Sequence, residues 1–200
     1  MTTLSFRPLL SGVALAALLA GCSSVRTQDS VAVGPTAADV PVIEARSLGR
    51  VLLVPIVSAS PAGPVASADT VREALSTLPP SSIVTPESLL GPTPAGGWAT
   101  VDEGRLLAAA RGAGLSSVMI VRVDDYARRG TLAIAVAVPP VSWDTKTAVG
   151  VHLRVLDAAT GAVRADVRRV RENGGLYTLR TADDLPQELN AAVASLVTGP

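Results

Sequence analysis

One thiol, one imidazole and two indoles are the side chains here with the most chemistry to offer. Cys22 closes an apolar run from Leu9 to Ala20, with the small residues Ala20 and Gly21 in front of it. As the sole cysteine it has no partner within the chain for a disulfide or a thiolate metal site, so its use is as a free nucleophile. His152 lies beside Arg154 on the outer face of an expected strand, with Arg164 and Asp166 expected across a hairpin. That grouping reads as a solvated polar cluster rather than a Ser-His-Asp triad, because no Gly-x-Ser-x-Gly elbow presents a nucleophile. A zinc site would need more histidines or cysteines. Asp124 and Asp125 are neighbours, so on a strand they face opposite sides and cannot work as a carboxylate pair. Glu87, Asp102, Glu103, Asp183 and Asp184 read as turn or helix-start residues. Gly96-Gly97 lacks the lysine and hydroxyl of a phosphate loop. No catalytic residue, metal or cofactor is therefore expected. Trp98 follows a Pro/Gly loop, and Trp143 follows Pro139-Pro140 between two strands. Large side chains on rigid loops either bind a partner or fold back as lids; Trp98, Trp143, Pro139 and Pro140 are taken as the partner-binding candidates.

The segment around Cys22 gives an address. Residues 1–21 carry Arg7 and no acid, then about a dozen apolar residues, then a small-residue break, which is the layout of a secretory signal. The run is shorter than the ~20 residues needed to cross a bilayer. Leu19-Ala20-Gly21-Cys22 also resembles the lipobox of bacterial lipoproteins. The resemblance implies cleavage between Gly21 and Cys22, with acyl chains on the new N-terminal cysteine. Several chains, at about 0.8 kcal/mol per buried methylene, make a stable anchor in membrane lipid. Ser23 rather than Asp after the cysteine implies the outer membrane, facing the periplasm, in a Gram-negative host.

Composition narrows the classes further. The 200 residues hold 17 basic and 17 acidic groups. Without residues 1–21, 179 remain with 16 basic against 17 acidic. That balance offers no basic stripe for nucleic acid. Aromatic residues are 2% of the chain, which argues against a stacking groove and against the aromatic girdles of a membrane barrel.

The elements that must position these groups follow from periodicity. Residues 22–47 show no sustained period and are expected to be a lipidated tether, reaching about 25–30 Å; pairing of Val40–Glu44 as an edge strand is the alternative. Arg50–Val57 is a doubly buried strand whose pairing is expected to stop at Pro55. Ser67–Leu78 places Val71, Ala74, Leu75 and Leu78 on one helical face. Ser82–Val84 is a short strand, and Thr100 to Glu103 forms a capping box for a helix ended by Gly112 and Gly114. Ser117–Val123 is a buried strand expected to turn at Gly130, before a strand at Thr131–Val138. Ala148–Leu156 sends Val149, Val151, Leu153 and Val155 inward, and Asp157–Gly161 is a hairpin loop with Gly161 left-handed. The return strand carries Val163, Ala165 and Val167. Thr181–Asp184 caps a last helix with Leu185, Leu189, Val193 and Leu196 in line. The expectation is α/β: one domain, residues 48–200, with a mixed, mostly antiparallel sheet and about three amphipathic helices.

Three stretches behind the lipobox resemble the periplasmic lipoprotein domains of the curli-export (CsgG-like) group, which recur in penicillin-binding-protein activators and at the front of the Tol propeller protein. Arg50 to Ile56 is similar to the opening "V-x-V-x-P-F" strand, Ala109 to Val118 to the "A-x-x-x-G-A-D-x-V" step, and Leu153 to Gly161 to the "L-V-D-x-x-T-G" hairpin. Ile56 stands where the group often has Phe, and the segments that build the curli channel have no counterpart. The resemblance implies a fold and a compartment. The expected role is a non-catalytic, lipid-anchored protein–protein interaction module for an unidentified envelope protein, in envelope assembly or maintenance. A self-associating export or pore subunit and a small-ligand or lipid binder are the alternatives.

Overall fold

The structure, a computed structural model, describes residues 24–33, 43–57, 66–75, 78–134, 141–176 and 179–198. Its centre is a six-stranded mixed sheet in the order β1-β7-β6-β5-β3-β4. The strands are β1 (Ser24–Val33), β3 (Val51–Val57), β4 (Ile83–Val84), β5 (Ser117–Ile134), β6 (Val141–Asp157) and β7 (Val163–Leu176). A two-stranded parallel sheet pairs β2 (Ile43–Glu44) with β8 (Val197–Thr198). β1, β7, β6 and β5 run antiparallel to their neighbours, while β5, β3 and β4 are parallel. The helices are α1 (Ala45–Leu48), α2 (Ala68–Ala74), α3 (Pro86–Leu90), α4 (Glu103–Gly112) and α5 (Leu185–Ala194). The chain is one α/β domain, as its periodicity predicts.

Alternation along the strands builds two cores. On the first face Val51, Leu53, Met119, Val121, Val149, Val151, Leu153 and Val155 lie under α2 and α5, all nearly or wholly buried. Those helices supply Val71, Ala74, Leu185, Leu189 and Val193, the apolar stripe that a 3.6-residue period produces. On the second face Leu52, Val54, Ile56, Val118 and Ile120 meet Leu106 and Ala110 of α4 and the ring of Trp98. β3 feeds both cores because its six consecutive buried residues point alternately to each side.

Several elements depart from the sequence-based expectations. The segment expected to be a tether carries β1 at residues 24–33, paired with β7 from Ser24↔Gly174 to Val33↔Asp166, and then β2 and α1. Val25, Arg26, Thr27 and Gln28 are exposed, so this part of the strand is held by its backbone ladder rather than by burial. The ladder of β3 does not stop at Pro55 but continues through Pro55↔Val121 to Val57↔Val123. β4 reaches only Val51 and Leu52, so from Leu53 on β3 has one strand neighbour among the described residues, an edge position at which proline is tolerated. No turn forms at Gly130: β5 runs through it, opposite Thr145, with its one irregularity at Val123/Asp125. α2 ends at Ala74 instead of continuing to Leu78. α4 is capped by Asp102, whose carboxylate accepts from Gly104 N and Arg105 N at 2.9 and 3.2 Å, while Thr100 donates to the Gly97 carbonyl.

Candidate functional site

The β6–β7 half of the second face lacks a helical cover among the described residues and gathers the charged candidates. Cross-strand register puts Arg122, His152, Arg168 and Ser30 in one row, and Ile120, Arg154 and Asp166 in the next. The half-exposed His152 meets Asp166, Nε2 to Oδ1, at 2.6 Å. Arg154 donates to Glu103 at the start of α4 at 2.5 Å and lies 3.5 Å from the other Asp166 oxygen. Arg168 lies 3.5 Å from Asp124. The expected cross-strand cluster is therefore present around His152, Arg154 and Asp166, but Arg164 is drawn elsewhere, to Asp157 and the Ser47 carbonyl. Ser30, the hydroxyl in the histidine's row, stands two strands away, about 10 Å between backbones, beyond a direct nucleophile–base hydrogen bond. The row of Arg122, His152 and Arg168 reads chemically as a surface for polar contacts.

Trp98 is not part of that surface. It is 5% exposed, sits in a 3₁₀ turn (Trp98–Thr100), and packs into the second core. Its Nε1–H donates to Glu87 Oε1 at 3.0 Å, and the Thr93 hydroxyl donates to the same oxygen at 3.2 Å. Burial pushes the Glu87 carboxyl up, but the hydrogen bonds it accepts from backbone, Trp98, Thr93 and Thr85 outweigh that and hold it below its ordinary value. Arg72 of α2 stands 3.6 Å from its second oxygen. Beside these groups, at the C-terminal end of β3, is a small cavity of about 190 Å³ lined by Pro55, Ile56 and Gly97. The partner-contact reading of Trp98 is thus corrected: an indole over apolar β3 side chains is worth more buried, and Glu87 satisfies its N–H.

Trp143 lies in β6 opposite Leu132, but its side chain falls outside the described residues, as do Pro139, Pro140, Gly21 and Cys22. The backbone register still places the neighbourhood. Ser24, two residues after Cys22, pairs with Gly174, which pairs with Lys146. Lys146 in turn pairs with Arg129, five residues short of Ile134, the last described residue of β5. The start of β1 and the β5–β6 connection therefore lie at one end of the sheet. Among the described residues no helix is long and apolar enough to cross a membrane.

Two polar fixtures escaped the sequence reading. Glu188 of α5, 6% exposed, accepts from Arg171 Nε at 2.6 Å and from the Asn173 amide, tying α5 to the far half of β7. Only its position between the apolar residues Leu185 and Leu189 on the inner side of α5 hinted at this. Asp157 caps the β6–β7 turn: the Thr160 N–H at 2.9 Å, then Arg164, then the Thr160 hydroxyl hold its carboxyl down to about 2. Gly161, at φ 76°, supplies the left-handed step that turn requires.

No family model and no curated protein matches this chain. Among solved structures, a dodecamer of a PelC point variant from Paraburkholderia phytofirmans is similar at 13% identity and TM-score 0.43, over 86% of this chain and 97% of that one. A second PelC dodecamer from that organism gives 16% identity and TM-score 0.41, over 89% and 99%. Lipoprotein GNA1162 from Neisseria meningitidis gives 18% identity and TM-score 0.42, over 73% and 95%. These neighbours are a lipoprotein and dodecameric assemblies; at such scores they assign nothing to this chain.

Proposed function

We propose that this protein is a lipid-anchored, non-catalytic interaction module of the bacterial envelope, of the curli-export (CsgG-like) or activator type, held at the periplasmic side of the outer membrane through acylated Cys22. The observation that carries the reading is Leu19-Ala20-Gly21-Cys22 leading within two residues into β1. With β1 in place of a tether, the sheet end bearing Ser24 sits within about 10 Å of the anchor, since two extended residues span only about 7 Å. The β5–β6 connection with Pro139, Pro140 and Trp143 shares that end, so the partner they contact is another membrane-proximal envelope protein. The open row of Arg122, His152 and Arg168 supplies a second, polar contact surface.

Intact mass spectrometry of protein extracted from membranes tests the anchor: the mature chain should begin at Cys22 and carry acyl mass. An unmodified N-terminus at any other residue overturns it. Cross-linking through a photoreactive residue at position 143 tests the contact, which fails if no envelope protein is captured above a label at exposed Thr160.

Self-association is the second reading, favoured by the outer edge of β1 and by β3 beyond Leu52, neither of which has a further strand among the described residues. Such edges can pair with another copy. A single monomeric species across a hundredfold range of concentration in light scattering excludes it.

A further inference from the structure

At the opposite end of the sheet, where β3 and β4 begin, a cleft of about 540 Å³ opens between α1 and the turn at Pro80–Ser82. Arg46 and Arg50 both line it, with Ser81 and Ser82, and among the described residues no carboxylate does. Among the described residues the side chains of Arg46, Arg50 and Ser81 make no hydrogen bond or ion pair. By contrast Arg129, Arg154, Arg164 and Arg171 are each matched to an acid. The walls are fixed. The Arg50 carbonyl accepts from Ser116 N and Ser117 N at 2.8 and 3.3 Å, and the Ser82 hydroxyl and amide both donate to the Pro79 carbonyl, at 2.6 and 2.8 Å. Gly49, at φ 59°, has no room for a Cβ, which would come within 2.7 Å of the Ser116 hydroxyl.

We infer that this cleft binds a sugar-sized oxyanion, its phosphate or carboxylate held between the guanidinium groups of Arg46 and Arg50 and its body against Ala45 and Pro79. Two planar forks with no competing acid among the described lining residues match an oxyanion, and the Ser81 hydroxyl adds a third donor. The volume exceeds a bare ion and falls in the range of small-molecule sites. The row of Asp157, where β3 begins, lies 11 residues along β6 from that of Lys146, about 35 Å from the Ser24 end. The cleft therefore faces away from the anchor, and its ligand is a soluble or wall-borne group, not a headgroup of the anchoring leaflet. Oxyanion binding itself does not depend on the anchor, since Arg46, Arg50 and Ser81 line the cleft whether or not Cys22 is acylated; only the exclusion of a leaflet headgroup rests on that reading.

Calorimetric titration of the full chain in detergent with glucose 6-phosphate, glucuronate and glucose tests it, with the amide signals of Gly49, Arg50, Ser81 and Ser82 followed by NMR. Saturable binding of glucose 6-phosphate or glucuronate, with shifts at those amides and none from glucose, is expected; which anion binds identifies the charged group. Arg46→Gln and Arg50→Gln should each weaken it about tenfold, at an unchanged melting temperature since both are exposed. Absence of saturable binding by both anions, equal binding of glucose, or an affinity unmoved in the double variant overturns the inference.

Discussion

The two faces of the central sheet are built from the same strands and differ in what covers them. On the first, β6 presents Val149, Val151, Leu153 and Val155 to α2 and α5, and all are buried. On the second, the alternate residues His152 and Arg154 stay half-exposed in an ion-paired patch. Among the described residues only the β3–β5 side of that face is roofed, by α4 and Trp98. One face spends its surface on stability and the other keeps charged groups accessible, so substitutions on the two should separate stability from recognition.

The largest effect is expected on the first face. Leu153→Ala removes a side chain 1% exposed in the core between the sheet and its helices and should cost about 2–5 kcal/mol in chemical denaturation. A cost below about 1 kcal/mol would mean that this face is not the main core. Under the roof of the second face, Trp98→Phe keeps an aromatic ring but trims the buried indole and removes the donor to Glu87. It should cost about 1–2 kcal/mol, measured the same way, and Glu87→Gln in the Trp98→Phe background should recover part of it. On the open half, Arg154→Met breaks pairs with Glu103 and Asp166 but should change stability by less than about 1 kcal/mol, because the shorter pair, to Glu103, is solvent-screened and Asp166 keeps His152 as a partner. A loss comparable to Leu153→Ala would make the patch structural and remove the contrast.

The smallest effect lies in the turn joining β6 and β7. The carboxyl of Asp157 is held at about 2 against an ordinary 3.8, so its stabilisation is present above pH 3.8 and is lost as pH falls towards 2. Asp157→Asn should flatten the acid limb of the stability curve in that window and leave the region above pH 5 parallel to the parent.

How much of this was legible in the sequence depends on burial. β3, β6 and α5 carry strong apolar patterns, and their expected inward residues are the buried ones. β1 was unreadable because an edge strand with exposed Val25, Arg26, Thr27 and Gln28 needs only backbone partners, and those come from β7 over 130 residues away. Gly130 looked like a turn, but with ladder partners on β6 a glycine costs a strand little. Trp98 looked available beside Pro and Gly; its direction was set by Glu87, eleven residues earlier, which local spacing cannot show. The His152 cluster was readable as a set but not in register, since bulges at Val123/Asp125 and Val155/Leu156 shift the pairing.

The anchor and the direct entry into β1 carry the functional reading, and fractionation of Cys22→Ser beside the parent chain tests them most directly. The parent should sediment with membranes as a processed form, while the variant should accumulate as uncut precursor and yield no processed chain in the membrane fraction. A Cys22→Ser chain that is cut as before and still sediments with membranes would contradict the assignment.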